Sequence, residues 1–429
     1  MIRVLYALLT YLLMPVYALY WLSRGFVNRA YWDRFGQRFG FGYPEIESGS
    51  IWIHAVSVGE VQAAVPLIRA LMRRYPERTM LVTTVTPTGA ARVATVFGDS
   101  VRHSYIPFET PNAVRSFFAA TKPDIALIME TEIWPNLYHA CGARGIPLVL
   151  VSARISPKSV DRYRKLLPLF RETLSYGIVI AAQSETDAER FLSLGAPPER
   201  TRVTGNIKFD IELDPDLAAR GRALREDMLG SRPVWVAAST HNREEELVLA
   251  AHRRIRETHS DTLLVLVPRH PERFDAVRQF LEREQLPWIA RTDGRPAAPD
   301  TAVLLGDTMG EVPLFYSAAD VAFVGGTLVP VGGHNLLEPA ALGRPVVTGP
   351  HLFNTQEIAD LFRRMGALEL VHDDVELASA VTALLDDEAK AARMGEAGRR
   401  IVLDNRGALA RLLDLIAPLV PEKRVTGTA

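Results

Sequence analysis

Carboxylates delivered to strand ends beside glycine are the first residues here that suggest chemistry. In Trp52-Ile-His54-Ala-Val-Ser57-Val-Gly59-Glu60 an apolar run leads Glu60 into a helical pattern over residues 61–73. Two readings compete at that point. Ser57-x-x-Glu60 is a capping-box spacing, in which the Glu side chain reaches back to the cap amide; alternatively, Gly59 lets a substrate approach the backbone and Glu60 is a catalytic carboxylate. Glu130 and Glu132 follow a second apolar run, 125–129. Strand alternation puts them on one face, and two like charges in a cleft raise one pKa, which suits acid–base work or the binding of sugar hydroxyls. A solvated acidic loop is the competing reading. Lys208, in Gly205-Asn206-Ile207-Lys208-Phe209-Asp210, is one of six lysines against 43 arginines, so a compact ammonium instead of a guanidinium fork marks the position.

Further along, the residue types suit anions. Arg269 directly follows an apolar run and Pro268, where a guanidinium can pair bidentately with phosphate or carboxylate. Asp307-Thr308-Met309-Gly310-Glu311 leads into a helical segment at 312–317, and a glycine-rich loop from Gly326 through Gly332-Gly333-His334-Asn335 opens another at 336–342. Both place backbone amides at helix amino ends, where anions bind, and Glu338, one turn into the second helical segment, could take ribose hydroxyls. Any one of these glycines serves equally as a turn or cap, but together the features point to a nucleotide site. There is no Walker A loop, complete dinucleotide fingerprint or zinc-protease helix. The Asp-x-Asp at Asp214-Pro-Asp216 falls in a polar stretch and not at a strand end. His54, His270 and His334 read as cleft or structural residues, and neither a metal nor a cofactor is expected.

The elements that position these residues alternate. Short apolar runs at 51–56, 79–85, 125–129, 147–151 and 178–182, each followed by an amphipathic segment, predict one parallel sheet. A second series at 234–238, 262–267, 302–305, 321–324, 346–348 and 368–371 predicts another. The fold class is therefore α/β, with two Rossmann-like doubly wound domains. Expected boundaries are 1–22 for an apolar leader, 23–210 for the first domain, 211–232 for a linker, 233–420 for the second domain and 421–429 for a frayed tail. Ligands of such sheets lie beyond the carboxyl ends of the strands, so the crevice between the domains is where function is expected.

The charge balance, 49 basic against 50 acidic residues, lacks the basic field of a nucleic-acid binder. A lone cysteine excludes a disulfide framework. From Val4 to Leu22 the chain is uncharged and apolar, about the 20 residues that span a hydrocarbon core. Arg24, Arg29, Arg34 and Arg38 follow, opposed by Asp33, which by the positive-inside rule keeps that flank cytoplasmic. An enzyme anchored on the inner face of a membrane is expected; a buried helix of the soluble fold is the alternative.

Six blocks, HAVSVGE, METEIWP, GNIKFD, LVPRHPERF, MGEVPLFY and GGHNLLEPAALGRPVVTGP, in this order over nearly the whole chain, resemble the 3-deoxy-D-manno-octulosonic acid (Kdo) transferases of Gram-negative lipid A assembly. The resemblance implies a GT-B glycosyltransferase with the acceptor site in the first domain and the nucleotide-sugar site in the second. It implies that Glu60 is the general base, that Glu130 and Lys208 stabilise the transition state, and that CMP is bound by Pro268, Arg269, Met309, Gly310, Glu311, Asn335, Leu336, Leu337 and Glu338. The implied reaction is inverting transfer of Kdo from CMP-Kdo to the lipid A precursor, lipid IVA, in two successive additions during lipopolysaccharide core biosynthesis at the cell inner membrane. Another GT-B transferase or an epimerase using a UDP-sugar is the enzymatic alternative. A membrane-tethered binding module without catalysis is the other.

Overall fold

The computed structural model describes residues 2–422, which divide into two compact units: residues up to Asp210 together with those from Arg406, and Ile211–Asn405. The first unit is built on seven parallel strands, β1 (Ser50–His54), β2 (Met80–Thr84), β3 (Arg102–Tyr105), β4 (Pro123–Met129), β5 (Leu148–Ala153), β6 (Val179–Ala182) and β7 (Thr201–Val203), in the order β3-β2-β1-β4-β5-β6-β7. Helices cover both faces, so successive residues of a strand are buried on opposite sides. Trp52, Leu81, Ile128 and Leu150 enter one core, and Ile51, Ile53, Val82, Leu127 and Val149 enter the other. The order reverses between β1 and β4, where His54 lies opposite Ile128. The segments leaving these strands therefore emerge side by side, at the topological switch point where such sheets bind ligands.

The second unit repeats the plan with β8 (Val234–Thr240), β9 (Leu263–Pro268), β10 (Trp288–Ala290), β11 (Val303–Leu305), β12 (Val321–Val324), β13 (Val346–Thr348) and β14 (Leu368–Leu370), all parallel, in the order β10-β11-β9-β8-β12-β13-β14. Its reversal falls between β8 and β12. The expected pair of doubly wound sheets is thus present. The strands that the hydropathy pattern did not predict, β3, β7 and β10, are all at sheet edges. They are partly exposed, so they need no continuous apolar run.

Two boundaries differ from expectation. Residues 211–232 are not a bare linker: the helix Leu217–Leu224 folds with the second unit, with Gly221 so close to Ser317 that a Cβ there would lie 2.2 Å from its Oγ. Nor does the second unit run to 420. The helix Ala408–Ile416 belongs to the first, because Ala408, Leu412 and Ile416, an i, i+4, i+8 stripe, complete the core that contains Ile51 and Ile53. Asp210 fixes the start of that helix by accepting hydrogen bonds from Gly407 N (2.6 Å) and Leu409 N (2.5 Å). The expected frayed tail falls, from residue 423, outside the described residues.

At the amino terminus one helix runs Ile2–Val27, long and apolar enough to cross a membrane. One side lies on the first unit: the Tyr6 hydroxyl donates to the Glu109 carboxylate, and Tyr17 stacks on Phe108 at 4.0 Å. The other side leaves Leu5, Leu8, Leu12, Val16 and Leu19 exposed. Arg38, read as part of a cationic flank, is instead fully buried, 4.0 Å from the Trp21 ring and 4.4 Å from that of Tyr105, and donates to the Val85 carbonyl at 2.8 Å. Aromatic faces around a guanidinium supply part of what water would.

Asp210→Ala removes a carboxylate that acts as the helix cap. It is expected to cost about 1–2 kcal/mol and to speed amide hydrogen exchange in residues 408–416 ahead of the central strands. Exchange of that helix unchanged from the parent protein would show that apolar packing alone holds it.

Candidate active site

Glu60 stands in the first turn of the helix Val58–Arg74, just beyond β1. The capping box suggested by the spacing does not form. Ser57 makes no side-chain cap bond, and the Glu60 Oε2 reaches one residue further back, accepting from Val56 N at 2.8 Å. Burial raises the Glu60 pKa to about 8; the Val56 hydrogen bond works against this, Glu130 and Glu132 add to it, and Lys208 opposes it.

Glu130 leaves β4 in a left-handed conformation, φ +55°, with its N–H still donating to the Val151 carbonyl at 2.9 Å. This turn ends the strand at Met129, so the period-two argument that placed Glu130 and Glu132 on one face does not apply. Glu130 Oε1 lies 3.0 Å from Lys208 Nζ, and its Oε2 accepts from Arg154 Nε at 2.9 Å. Glu132 Oε2 instead accepts from Trp134 Nε1 at 2.7 Å. Burial works to raise the Glu130 pKa, but the two cations outweigh it and hold the group below the usual carboxylate range. Burial pushes Glu132 the other way. Lys208 is set by Asn206, whose Oδ1 accepts the Lys208 N–H at 3.0 Å and whose Nδ2 donates to Gln183 Oε1 at 3.1 Å. The two neighbouring carboxylates are thus pushed apart: Glu130 stays ionised, while Glu60 can hold a proton near neutrality. Sequence reasoning missed Arg154, although it follows β5 just as Arg269 follows β9, which is the signal that would have found it. His54 is buried, with Nδ1 2.9 Å from Thr83 Oγ1, and burial lowers its pKa to about 4, so it is a neutral structural residue.

In the second unit the loops after β11, β9, β8 and β12 leave adjacent strands at one edge. Pro268 ends β9, and Arg269 follows it, exposed and without a hydrogen bond or ion pair to its guanidinium among the described residues. Asn335 Oδ1 accepts from Leu337 N at 3.0 Å and its Nδ2 donates to Glu338 Oε1 at 3.0 Å. Burial raises the Glu338 pKa against Asn335 and Arg269, which places Glu338 within the electrostatic reach of Arg269. Leu336 and Leu337 are buried, while Met309 and Gly310 are exposed. Glu311 does not offer a free carboxylate: Arg291 grips it at 3.1 and 3.2 Å.

The amides at the front of the glycine-rich loop are engaged within the protein. Glu244, buried at the start of the helix after β8, accepts from Gly326 N (2.7 Å), Thr327 N (2.9 Å), Leu328 N (2.9 Å) and His241 N (3.1 Å). Gly332 and Gly333 donate to the Gly326 carbonyl. The front of the loop is therefore filled by the protein's own carboxylate, and what remains for an anion is Arg269 with the turn at His334–Leu337. Among the described residues no group of three His, Cys, Asp or Glu is arranged to hold a metal ion.

Residues 33–211 match a protein-family model described as 3-Deoxy-D-manno-octulosonic-acid transferase (kdotransferase), and residues 234–401 one described as Glycosyl transferases group 1. The chain is 43% identical over 393 residues to a 3-deoxy-D-manno-octulosonic acid transferase of Haemophilus influenzae, covering 90% of this chain and 92% of that one. A protein of the same name from Bordetella pertussis is 37% identical over 89% and 90% of the two chains. The solved structure of UDP-GlcNAc 2-epimerase from Neisseria meningitidis bound to UDP-GlcNAc has a TM-score of 0.53 at 14% identity, over 86% of this chain and 100% of that one, a likeness of fold alone.

Replacing Glu244 by Ala strands four amides, two of them buried, and is expected to destabilise the second unit by about 3 kcal/mol or more; Gln, keeping one acceptor oxygen, is expected to lose less. Amide hydrogen exchange of β8 and β12 in increasing denaturant reads both, and an Ala variant within about 0.5 kcal/mol of the parent would refute this account of the loop.

Proposed function

The chain belongs to the 3-deoxy-D-manno-octulosonic acid transferases and is a glycosyltransferase, and from that footing we propose its substrates and the roles of its residues: CMP-Kdo is the donor, the lipid A precursor lipid IVA is the acceptor, and Kdo is transferred with inversion in two successive additions. The observation that carries the reading is the carboxylate set at the first unit's switch point, where Glu60 has its pKa raised to about 8 beside a Glu130 clamped by Lys208 and Arg154. A sugar hydroxyl is a poor nucleophile and needs a base within hydrogen-bond reach that accepts its proton as attack proceeds. Glu60 takes that proton. The acceptor oxygen bonds to the anomeric carbon of Kdo from the face opposite the phosphate, the carbon–oxygen bond to phosphate breaks, and CMP departs with the electron pair.

Glu130 and Lys208 stabilise the transition state, with Arg154 holding Glu130 in register. Donor binding falls to Pro268 and Arg269, to Met309, Gly310 and the backbone of Glu311, and to Asn335, Leu336, Leu337 and Glu338. CMP carries a single phosphate, whose charge the unpaired Arg269 guanidinium can meet directly. The amino-terminal helix supports a location at the cytoplasmic face of the inner membrane: its exposed Leu and Val side lies in the lipid surface, with Arg24, Arg29 and Arg34 beside the anionic headgroups. Nothing in the charge balance favours nucleic acid as a partner.

Incubation of the purified protein with lipid IVA and either CMP-Kdo or a UDP-sugar, followed by mass spectrometry, tests the substrates. Two Kdo increments with CMP-Kdo are expected, and turnover of the UDP-sugar instead would overturn the donor. Glu60→Gln should lower kcat by about 10²–10⁴-fold, with the parent's kcat/KM rising as pH rises through about 8. Because the folded pKa lies above the reference 4.5, protonated Glu60 favours the fold at low pH, and that contribution is lost as pH rises from about 4.5 through about 8. The same variant should therefore match the parent in stability near pH 4 and exceed it above pH 8. Equal stability at both ends would argue against a buried, proton-holding Glu60.

A further inference from the structure

His241 follows β8 and His334 lies in the loop after β12, the two strands between which the second sheet reverses. Their Nε2 atoms are 2.8 Å apart, their ring centroids 5.0 Å apart and their planes within 2°. Rings stacked face to face would not bring two nitrogens closer than the centroids in this way. The imidazoles meet edge to edge in one plane, the geometry of an N–H···N hydrogen bond. Such a bond requires opposite tautomers, since one Nε2 carries the proton and the other presents a lone pair. The donor ring then has a lone pair on its outward Nδ1 and the acceptor ring an N–H there. One added proton makes both outward Nδ1 atoms donors without disturbing the bond between the rings. Neither Nδ1 has a hydrogen-bond partner among the described residues.

The surroundings keep that proton off while the site is empty. Burial first, then His270, Arg269 and Arg273, lower His241 to about 4; burial, Arg269, His241 and His270 lower His334 to about 3. The His270 ring lies 5.5 Å from that of His241. The nearby acids are already engaged: Glu244 by backbone amides including that of His241, Glu245 by Arg273 at 2.9 Å, and Glu338 by Asn335. An oxyanion beside Arg269 would cancel the cation that repels the extra proton and accept hydrogen bonds from the Nδ1 atoms, reversing the balance. Gly326 is shaped to this pair. At φ +70° it has no side chain where a Cβ would lie 3.0 Å from His334 Nε2 and 3.4 Å from His241 Cδ2.

We propose that His241 and His334 form a proton-linked oxyanion subsite of the nucleotide-sugar site, which takes up one proton as the donor's phosphate or its sugar carboxylate binds. This rests on the CMP-Kdo reading above. Calorimetric titration of the full chain at neutral pH, in buffers of different ionisation enthalpy, measures protons taken up per ligand. The probes are the methyl ester of CMP, a phosphodiester with no proton of its own to exchange near neutrality, CMP-Kdo, which adds the carboxylate, and cytidine, which has neither anion. Uptake approaching one proton with the ester assigns the subsite to phosphate; uptake with CMP-Kdo alone assigns it to the carboxylate. Cytidine should give none. His334→Gln and Gly326→Ala should each abolish the uptake and weaken ester or CMP-Kdo binding about tenfold while cytidine binding, the check on folding, is retained. His270→Gln should keep it. Ester and CMP-Kdo binding without proton uptake, or uptake that survives in His334→Gln or vanishes in His270→Gln, would overturn the pair and leave the donor assignment intact. Failure of CMP-Kdo to bind at all would overturn both.

Discussion

The charge held on Glu130 sets the electrostatics of the carboxylate cluster in the first unit. A carboxylate this buried would ordinarily keep its proton, and only the Lys208 ammonium at 3.0 Å and the Arg154 guanidinium at 2.9 Å make ionisation favourable. Once ionised, it contributes to the field that raises Glu60. The order of effects matters: burial is the larger cause at Glu60, and Glu130 adds to it, so Glu60 would remain perturbed without the clamp but the opposite shifts of the two carboxylates would be lost. The left-handed backbone at Glu130, which costs roughly 1–2 kcal/mol for a residue with a Cβ, is the local cost of presenting the carboxylate to two cations and not along the strand direction.

The second unit solves a related problem with the opposite arrangement. Its switch point also carries a buried carboxylate, Glu244, but four backbone amides surround it. Those hydrogen bonds stabilise the charged form against burial, and burial still wins. The consequence is mechanical: the glycine-rich loop is stiffened from within, so its positive backbone dipoles serve the fold. The same glycines that give amides room to converge on phosphate also let them converge on a side chain of the protein.

What was legible in the sequence follows from burial. Central strands such as β1, β4, β8 and β9 are covered on both faces and read as continuous apolar runs, so the two sheets and the residues just beyond them could be located. Edge strands β3, β7 and β10 lack that constraint, and helix Ala408–Ile416 carries an amphipathic stripe that fits either unit; only the three-dimensional match at Ile51 and Ile53 and the Asp210 cap decide it. Glu60, Glu130 and Arg269 stood out by position after strands and Lys208 by the scarcity of lysine, but the pairings around them did not. Arg154, Gln183 and His241 are distant in sequence from the groups they contact, and one arginine among 43 carries little information.

The amino-terminal helix shows how far composition can mislead about environment. Its hydropathy alone describes a free span, yet Tyr6, Tyr17 and Trp21 spend their polar or aromatic surface on Glu109, Phe108 and Arg38. Arg38, stripped of water and sandwiched by Trp21 and Tyr105, relies on those aromatic faces for part of the stabilisation that water would give, since only one of its nitrogens has a hydrogen-bond acceptor. The helix is therefore part of the first unit's structure as well as an apolar surface. Removing it to obtain a more soluble protein would uncover a buried guanidinium and a buried carboxylate together, and the cost would be paid in the packing around Glu109, whose carboxylate also holds the amide of Leu137 in the helix that follows Glu132 and Trp134.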